Sequence, residues 1–329
     1  MTWLAWRQVR LPALLLAVLI VLGAIAMLLV GRPPGGTSFG EREDVATLLY
    51  GGAIGAAYGL PALLGAFLGA PVVTRELEAG THRLAWTQGI SRTRWLLTRT
   101  AVAGAVVLAS SGLVALLVTW WAARRDHASA DFRSSLVNPD VFGARGLVPV
   151  GTAVFALALG VAVGAVVRRT LPAVAVTLAL VAAVQLAMPL VIREHLWPPV
   201  EQDVAFSAES LRSVLGDSDV GGIAELRVAI PAQDAWVVGN DTLDRNGDVV
   251  APPAFLTECF TGYAPGSSGP EKPVAECMAR LDAEGYRQHV EYQPTSHFWP
   301  LQIVETLLLL VTAGALTWFS AWWVRTRLT

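Results

Sequence analysis

Long stretches of this chain carry no charge, and polar segments separate them. Residues 11–30 are 20 consecutive uncharged residues. At about 1.5 Å rise per residue, a helix of that length spans about 30 Å, the thickness of a bilayer's hydrocarbon core. Residues 46–74, 100–123, 146–167 and 170–192 are charge-free in the same way, and residues 298–324 are interrupted only by Glu305. Backbone polar groups in lipid must be satisfied internally, so each run is expected to be a helix. The pattern predicts a mainly α, polytopic membrane protein. Its six transmembrane helices fall at about residues 11–30, 46–74, 97–123, 146–167, 170–192 and 298–324, with a small α+β domain at residues 193–297 between spans five and six.

Composition agrees. Charged residues make up 15% and hydrophobic ones 54% of the chain, whereas soluble domains carry about 25% charged residues. Arg7 and Arg10 precede the first run, as in a signal peptide. The run is longer than a typical signal core and Gly31-Arg-Pro-Pro is a poor cleavage site, so an uncleaved anchor is expected. Residues 1–10 set Trp3, Leu4 and Trp6 against the two arginines and read as a cytoplasmic interfacial helix. Trp95, Trp120, Trp121, Trp299, Trp318, Trp322 and Trp323 fall near span ends, as in an aromatic belt.

Six spans put both termini on one side. Eleven arginines fall there (7, 10, 75, 83, 92, 94, 99, 168, 169, 325 and 327), against the acids Glu76 and Glu78. Positive residues stay inside. Both termini, the tail 325–329, the segment 74–96 and the Arg168-Arg169 turn are therefore expected in the cytosol, in a plasma-membrane protein. Arg124 and Arg125 dissent and are expected to snorkel at the outer interface.

Residues 193–297 are then extracellular. They carry 17 acids against six arginines and one lysine. Both cysteines, Cys259 and Cys277, lie here, where a disulfide is favoured over free thiols. Residues 235–238 and 244–250 suggest a hairpin around Asn246-Gly247, residues 274–282 have helical spacing, and residues 287–292 alternate like a strand.

Within the spans, Gly51, Gly55 and Gly59, then Gly65 and Gly69, and Gly160 with Gly164 form small-xxx-small spacings. Such spacing lets helix backbones approach closely, although glycine is common enough here for some spacings to arise by chance. Pro61 predicts a kink in span two.

Several chemistries are missing. The only lysine, Lys272, lies in Gly-Pro-Glu-Lys-Pro and not in a phosphate loop, so ATP hydrolysis by that route is excluded. His82, His127, His195, His289 and His297 are scattered without metal spacing, and no Gly-x-Ser-x-Gly elbow occurs. No catalytic residue, metal site or resident cofactor is expected, and nucleic acid is not an expected partner. One intramembrane acid remains. Glu305 lies about two turns below the outer surface, with Gln302 one turn above it and Gln185 at similar depth in span five. Three roles stay open for it besides that of a protonated or water-facing residue: lining a polar cavity, binding a cationic substrate, or tying spans five and six together.

Between spans two and three lies Arg75-Glu-Leu-Glu-Ala-Gly-Thr-His-Arg-Leu-Ala-Trp-Thr-Gln88. Gly80 is suited to end one helix, Thr81 to cap a second that Gly89 ends, and Ser91 to cap the helix entering span three. The result is a helical elbow at the membrane surface, with Glu76, Glu78 and His82 expected to be exposed. The plainer reading is a solvated connecting loop.

Two elements here, Glu78-Ala-Gly80-Thr81 and Thr87-Gln-Gly-Ile-Ser91-Arg92, resemble the Glu-x-Gly-Thr and Thr-x-x-Ser-Arg elements of type-2 ATP-binding-cassette (ABC) exporter permeases. The fuller string, and the segment Tyr292-Gln-Pro-Thr-Ser-His-Phe-Trp-Pro-Leu-Gln-Ile-Val-Glu305, look like actinobacterial members of that group, as does the preference for arginine over lysine. The resemblance implies a non-catalytic subunit of an ATP-hydrolysing transporter. A separate ATPase would bind ATP and Mg and press on the elbow. Arg75, Glu76, Glu78, Gly80, Thr81, His82, Arg83 and Trp86 would form the coupling surface, and residues 1–10 the connecting helix. A second permease copy, in a homo- or heterodimer, membrane lipid and a small-molecule substrate complete the implied partners. Compact members of the family have small loops between spans five and six. The large domain here keeps a second reading open: a mechanotransmitting or signalling protein that acts on an external partner without transport. A membrane enzyme is a third class, disfavoured by the missing catalytic clusters.

Overall fold

In the computed structural model the described residues are 2–30, 39–80, 91–126, 136–216, 223–230, 232, 235–260 and 273–327. The chain begins with α1 (Thr2–Val30) and α2 (Phe39–Leu64), a π-turn (Gly65–Gly69) and α3 (Ala70–Ala79), followed by α4 (Arg92–Asp126) and α5 (Pro139–Phe142). Then come α6 (Val148–Val167), α7 (Thr170–Ala187), a second π-turn (Met188–Ile192) and α8 (Arg193–Leu196). Strands β1 (Val200–Ala205), β2 (Leu211–Gly216), β3 (Ile223–Val228) and β4 (Trp236–Leu243) precede α9 (Leu256–Phe260) and α10 (Val274–Glu284). β5 (Arg287–Gln293), a 3-10 turn (Thr295–His297) and α11 (Phe298–Arg327) finish it. Among the described residues six helical segments are long and apolar enough to cross a membrane: Val9–Leu29, Leu48–Ala79, Arg92–Ala123, Val148–Val167, Thr170–Leu196 and Thr295–Arg327.

Contacts divide the chain into two units. The first holds residues 1–134, 138–197 and 298–329. Its most enclosed element is α6, which packs against α2, α3, α4, α7 and α11. Close approach is concentrated at four glycines. A Cβ on Gly69 would sit 2.7 Å from the Leu157 carbonyl oxygen, and one on Gly164 the same distance from that of Ala70. Cβ atoms at Gly65 and Gly160 would strike the Ala156 and Gly65 carbonyl oxygens. Backbones this close gain dispersion contacts, the main packing force in lipid. The other small-residue series behaves differently: a Cβ on Gly51, Gly55 or Gly59 would meet nothing within 4 Å. The expectation of close packing is therefore corrected for that half of span two.

At Pro61, where a kink is expected, α2 runs on to Leu64 and then passes into the π-turn. Proline cannot donate to the Ala57 carbonyl. The wider turn that follows sits where Gly65 and Gly69 meet α6. The buried core of this unit includes Leu64, Val73, Trp95, Leu96, Val107 and Val161. α1 is the least enclosed span, with Leu15, Leu19, Leu22 and Leu29 each more than half exposed, as expected of a helix whose solvent is lipid.

The second unit holds residues 135–137 and 198–297. It contains an antiparallel sheet in the order β1-β5-β4 and a two-stranded sheet β2-β3. Its core gathers Phe206, Leu226, Leu256, Met278, Leu281 and Val290. A disulfide, Cys259–Cys277, links α9 to α10 with a Cα separation of 6.5 Å. The expected helix and last strand appear as α10 and β5. The expected Asn-Gly turn is present, but the pairing beyond it is a single bridge, Leu243 with Val249. The long partner of β4 is β5, 46 residues away at the Thr242–Gln288 contact.

Candidate functional site

The turns at one end of the helical bundle hold the arginine-rich segments together. α3 continues span two to Ala79, where Gly80 adopts φ 68° and its N–H closes on the Leu77 carbonyl at 3.3 Å. Glycine takes this left-handed cap without a Cβ penalty. Residues 81–90 lie outside the described residues, so Thr81, His82, Arg83 and Trp86 are not placed. α4 starts at Arg92, with the Ser91 hydroxyl accepting from the Arg94 N–H at 3.3 Å, the cap expected there.

The two glutamates on α3 do not face outward as a pair. Glu76 is corrected: its side chain is 13% exposed and turned inward. It forms an ion pair with Arg99 and accepts from Trp95 Nε1 at 3.0 Å, with the Arg99 guanidinium 5.3 Å from the Trp95 ring centre. A helix places residues three and four apart on one face, so Glu76 and the neighbouring turn of α4 meet along the packed side of α3. Glu78 is exposed, yet it receives the Thr170 N–H at 2.8 Å and the Thr170 hydroxyl at 2.6 Å. This carboxylate sits at the N-terminus of α7, where unpaired N–H groups and the helix dipole favour negative charge. Thr170 Oγ1 also lies 2.9 Å from Thr74 Oγ1. Arg75, beside them, is exposed.

The other helix ends at this end of the bundle are laced together. Arg325 Nε donates to Thr93 Oγ1 at 2.6 Å, and Arg92 Nη1 to the Arg325 carbonyl at 3.3 Å. Arg168 caps α6 with φ 59° and donates from Nη2 to the Arg327 carbonyl at 3.0 Å. α3 is thus tied to spans three and five, and span six to spans three and four.

A second polar cluster occupies the far half of the bundle. Glu305 is paired with Arg193, at 2.9 Å from Nε and 3.2 Å from Nη2, and both side chains are 2% exposed. The guanidinium stacks 4.3 Å from the Phe142 ring centre. Gln302 receives the N–H groups of Leu147 and Val148 at 2.8 and 2.9 Å and donates to the Phe142 carbonyl at 3.0 Å, which caps the start of α6. Gln185 donates to the Tyr58 carbonyl at 2.7 Å, three residues before Pro61. The Tyr58 hydroxyl donates to the Pro139 carbonyl at 3.0 Å. A void of about 20 Å³ beside Tyr58, Gln185, Arg193 and Glu305 has room for about one water. Of the open roles for Glu305, the tie between spans five and six is the one its contacts fit. Arg193 follows the charge-free run 170–192 and by sequence alone belongs to the loop. The signal that could have found it is its position one residue past a charge-free run, opposite an otherwise lone intramembrane acid.

In the second unit, His289 Nδ1 lies 2.7 Å from Asp203, and this bond holds the imidazole pKa above its ordinary value. Asp244 accepts from the Asp248 and Asn246 N–H groups in the Asn-Gly turn, which holds its carboxyl below the ordinary range.

Residues 37–193 match the family described as ABC-2 membrane transporter related. The matched stretch includes the described parts of the elbow, α6 and Arg193, and it supports an ABC-2-type permease. No match was found among the curated proteins or the solved structures compared.

Proposed function

We propose that this chain is the membrane-spanning subunit of an ATP-driven ABC exporter that moves an amphipathic or lipid-like compound out of the cell. Both termini and the elbow at residues 74–96 are cytoplasmic. A separate ATPase subunit, which holds ATP and Mg, docks on the elbow, and two permease copies assemble around the transport path. The chain itself supplies no catalytic group.

The observation that carries this reading is the anchoring of α3 through Glu76 to Trp95 and Arg99, and through Glu78 to Thr170. A push on the segment that follows Gly80 reaches spans two, three and five together through short polar contacts. A loose connector would absorb it. Coupling of this kind needs a continuous physical network between the driven site and the moving helices.

The test is co-purification of the full chain with the ATPase encoded by a neighbouring reading frame. Glu78→Arg and Gly80→Pro are expected to abolish it. If both variants bind the ATPase and leave its hydrolysis normal, the docking assignment is wrong.

The second reading, mechanotransmission to an external partner, is favoured by the self-contained second unit with its own core and disulfide. Substrate-stimulated ATP hydrolysis in liposomes separates the two. Stimulation by an amphipathic compound supports transport, and hydrolysis indifferent to any compound supports mechanotransmission.

A further inference from the structure

The last turn of α11 gathers arginines from three spans. Arg92 of α4 and Arg168, which caps α6, each donate an N–H to α11, to the carbonyls of Arg325 and Arg327. Arg325 in turn donates from Nε to Thr93 Oγ1, and the Arg327 guanidinium lies 6.0 Å from the Trp323 ring centre. Helix-end carbonyls and the negative end of the helix dipole account for one N–H of each incoming arginine. They do not balance four guanidinium charges in one place. Among the described residues, none of Arg168, Arg325 and Arg327 pairs with a carboxylate, and all three are exposed. The acids described at this end of the bundle are committed elsewhere, Glu76 to Arg99 and Trp95, and Glu78 to Thr170.

We propose that this cluster binds the phosphate headgroup of an anionic phospholipid. The inference rests on membrane embedding alone and not on ATP coupling. Its first support is chemical. A guanidinium presents several N–H donors in a planar fork that matches phosphate oxygens. The hydrogen bonds above use one donor of Arg168 and one of Arg325, which leaves the rest of each fork for a ligand. The second support is depth, which favours a lipid over a soluble anion. Arg168 directly follows the charge-free run 146–167, and Arg325 follows the run that ends at Val324. The cluster therefore lies where hydrocarbon gives way to headgroups. Trp318 and Trp322, 73% and 43% exposed, precede Arg325 on α11 by about two turns and one turn, as rings at headgroup level do. Basic pockets between spans at such a boundary bind anionic headgroups. A phosphate held there ties spans three, four and six together and offsets the repulsion among their arginines.

The experiment is native mass spectrometry of the full chain, released from detergent micelles that hold equimolar phosphatidylglycerol and phosphatidylcholine with the same acyl chains. Retained phosphatidylglycerol is expected to exceed phosphatidylcholine by about tenfold or more. That comparison needs no variant. In Arg168→Gln/Arg325→Gln the preference is expected to fall by about fivefold for each arginine removed. Arg94→Gln/Arg169→Gln removes two exposed arginines of the same end that hold no hydrogen bond to α11, and is expected to keep the preference. Equal retention of the two lipids overturns the proposal. Equal loss in both double variants also overturns it, because a diffuse positive field and no site would then be responsible. Inorganic phosphate that displaces phosphatidylglycerol at equal concentration assigns the cluster to a soluble anion, and displacement by the purified ATPase subunit assigns it to a protein interface. Either result overturns the lipid assignment.

Discussion

Arg193 and Glu305, 112 residues apart in the chain, share a two-point ion pair inside the bundle, each with 2% of its side chain exposed. Removing one partner of such a pair leaves an uncompensated charge, whereas replacing both with apolar groups removes the need for pairing. Glu305→Ala and Arg193→Ala are each expected to destabilise the protein by about 3–5 kcal/mol. Arg193→Met/Glu305→Leu is expected to recover most of that. Thermal unfolding in detergent checks it: a double variant as unstable as the singles would show that the pair is not the source of the cost.

The contrast between two glycine series gives a second expectation. Gly160→Ala drives a methyl group into the Gly65 carbonyl, and the neighbour is backbone that cannot swing aside. A loss of about 1–3 kcal/mol is expected from overpacking. Gly55→Ala meets open space and is expected to be neutral or slightly stabilising, because alanine is the better helix former. Yield and melting temperature of the two variants, prepared side by side, decide this.

Glu76 distinguishes docking from transmission. It is turned inward onto Trp95 and Arg99, so Glu76→Gln is expected to leave ATPase co-purification intact while uncoupling hydrolysis from transport. Glu78→Arg, at the exposed surface, is expected to abolish co-purification. If Glu76→Gln lowers co-purification as much as Glu78→Arg does, the inward carboxylate is part of the docking surface after all.

The second unit has a pH signature. The folded-state pKa of His289 is raised above 6.5, first by its hydrogen bond to Asp203. Its contribution to stability is fully present below about pH 6.5 and is lost as pH rises through the folded-state value. Asp244 runs the other way. Its pKa is lowered from 3.8, first by the Asp248 N–H, so its contribution holds above that value and is lost as pH falls through the folded-state value. Unfolding of the intact protein, followed by proteolysis within residues 198–297, should reproduce the neutral-side loss, and His289→Gln should remove it.

Cys259–Cys277 closes a short loop, with a sequence separation of 18. Loops of about 15 residues contribute about 3 kcal/mol in the chain-entropy model. Cys259→Ser/Cys277→Ser is expected to lower the stability of the second unit by about that amount, visible as faster cleavage by added protease, with the spans still helical by circular dichroism.

The membrane spans were legible because a helix in lipid is announced by length and lack of charge alone. All six runs correspond to helices, and helix ends fall at Ser91, whose hydroxyl caps α4, and at Gly80, whose missing Cβ permits the left-handed turn. β5 and α10 were also readable from local periodicity. β1 carries no local signal of its partner, since it pairs with β5 as far away as Val200 with Tyr292, whereas β2 and β3 pair with each other across only residues 217–222 and lack a clean alternation of apolar and polar positions.

By itself the sequence determined which six segments are long and apolar enough to cross a membrane, which end of the bundle gathers its arginines, and that two cysteines stand within reach of each other in the chain. These follow from solvation and from short-range geometry. Only the tertiary structure decided that Glu76 turns in while Glu78 caps a neighbouring helix, that Glu305 meets Arg193, and that Gly160 is packed while Gly55 is not. Each depends on which helix faces which. That is fixed by packing between segments far apart in sequence, and a charge or a glycine looks the same along the chain whether its neighbour across the bundle is an arginine, a backbone carbonyl or lipid.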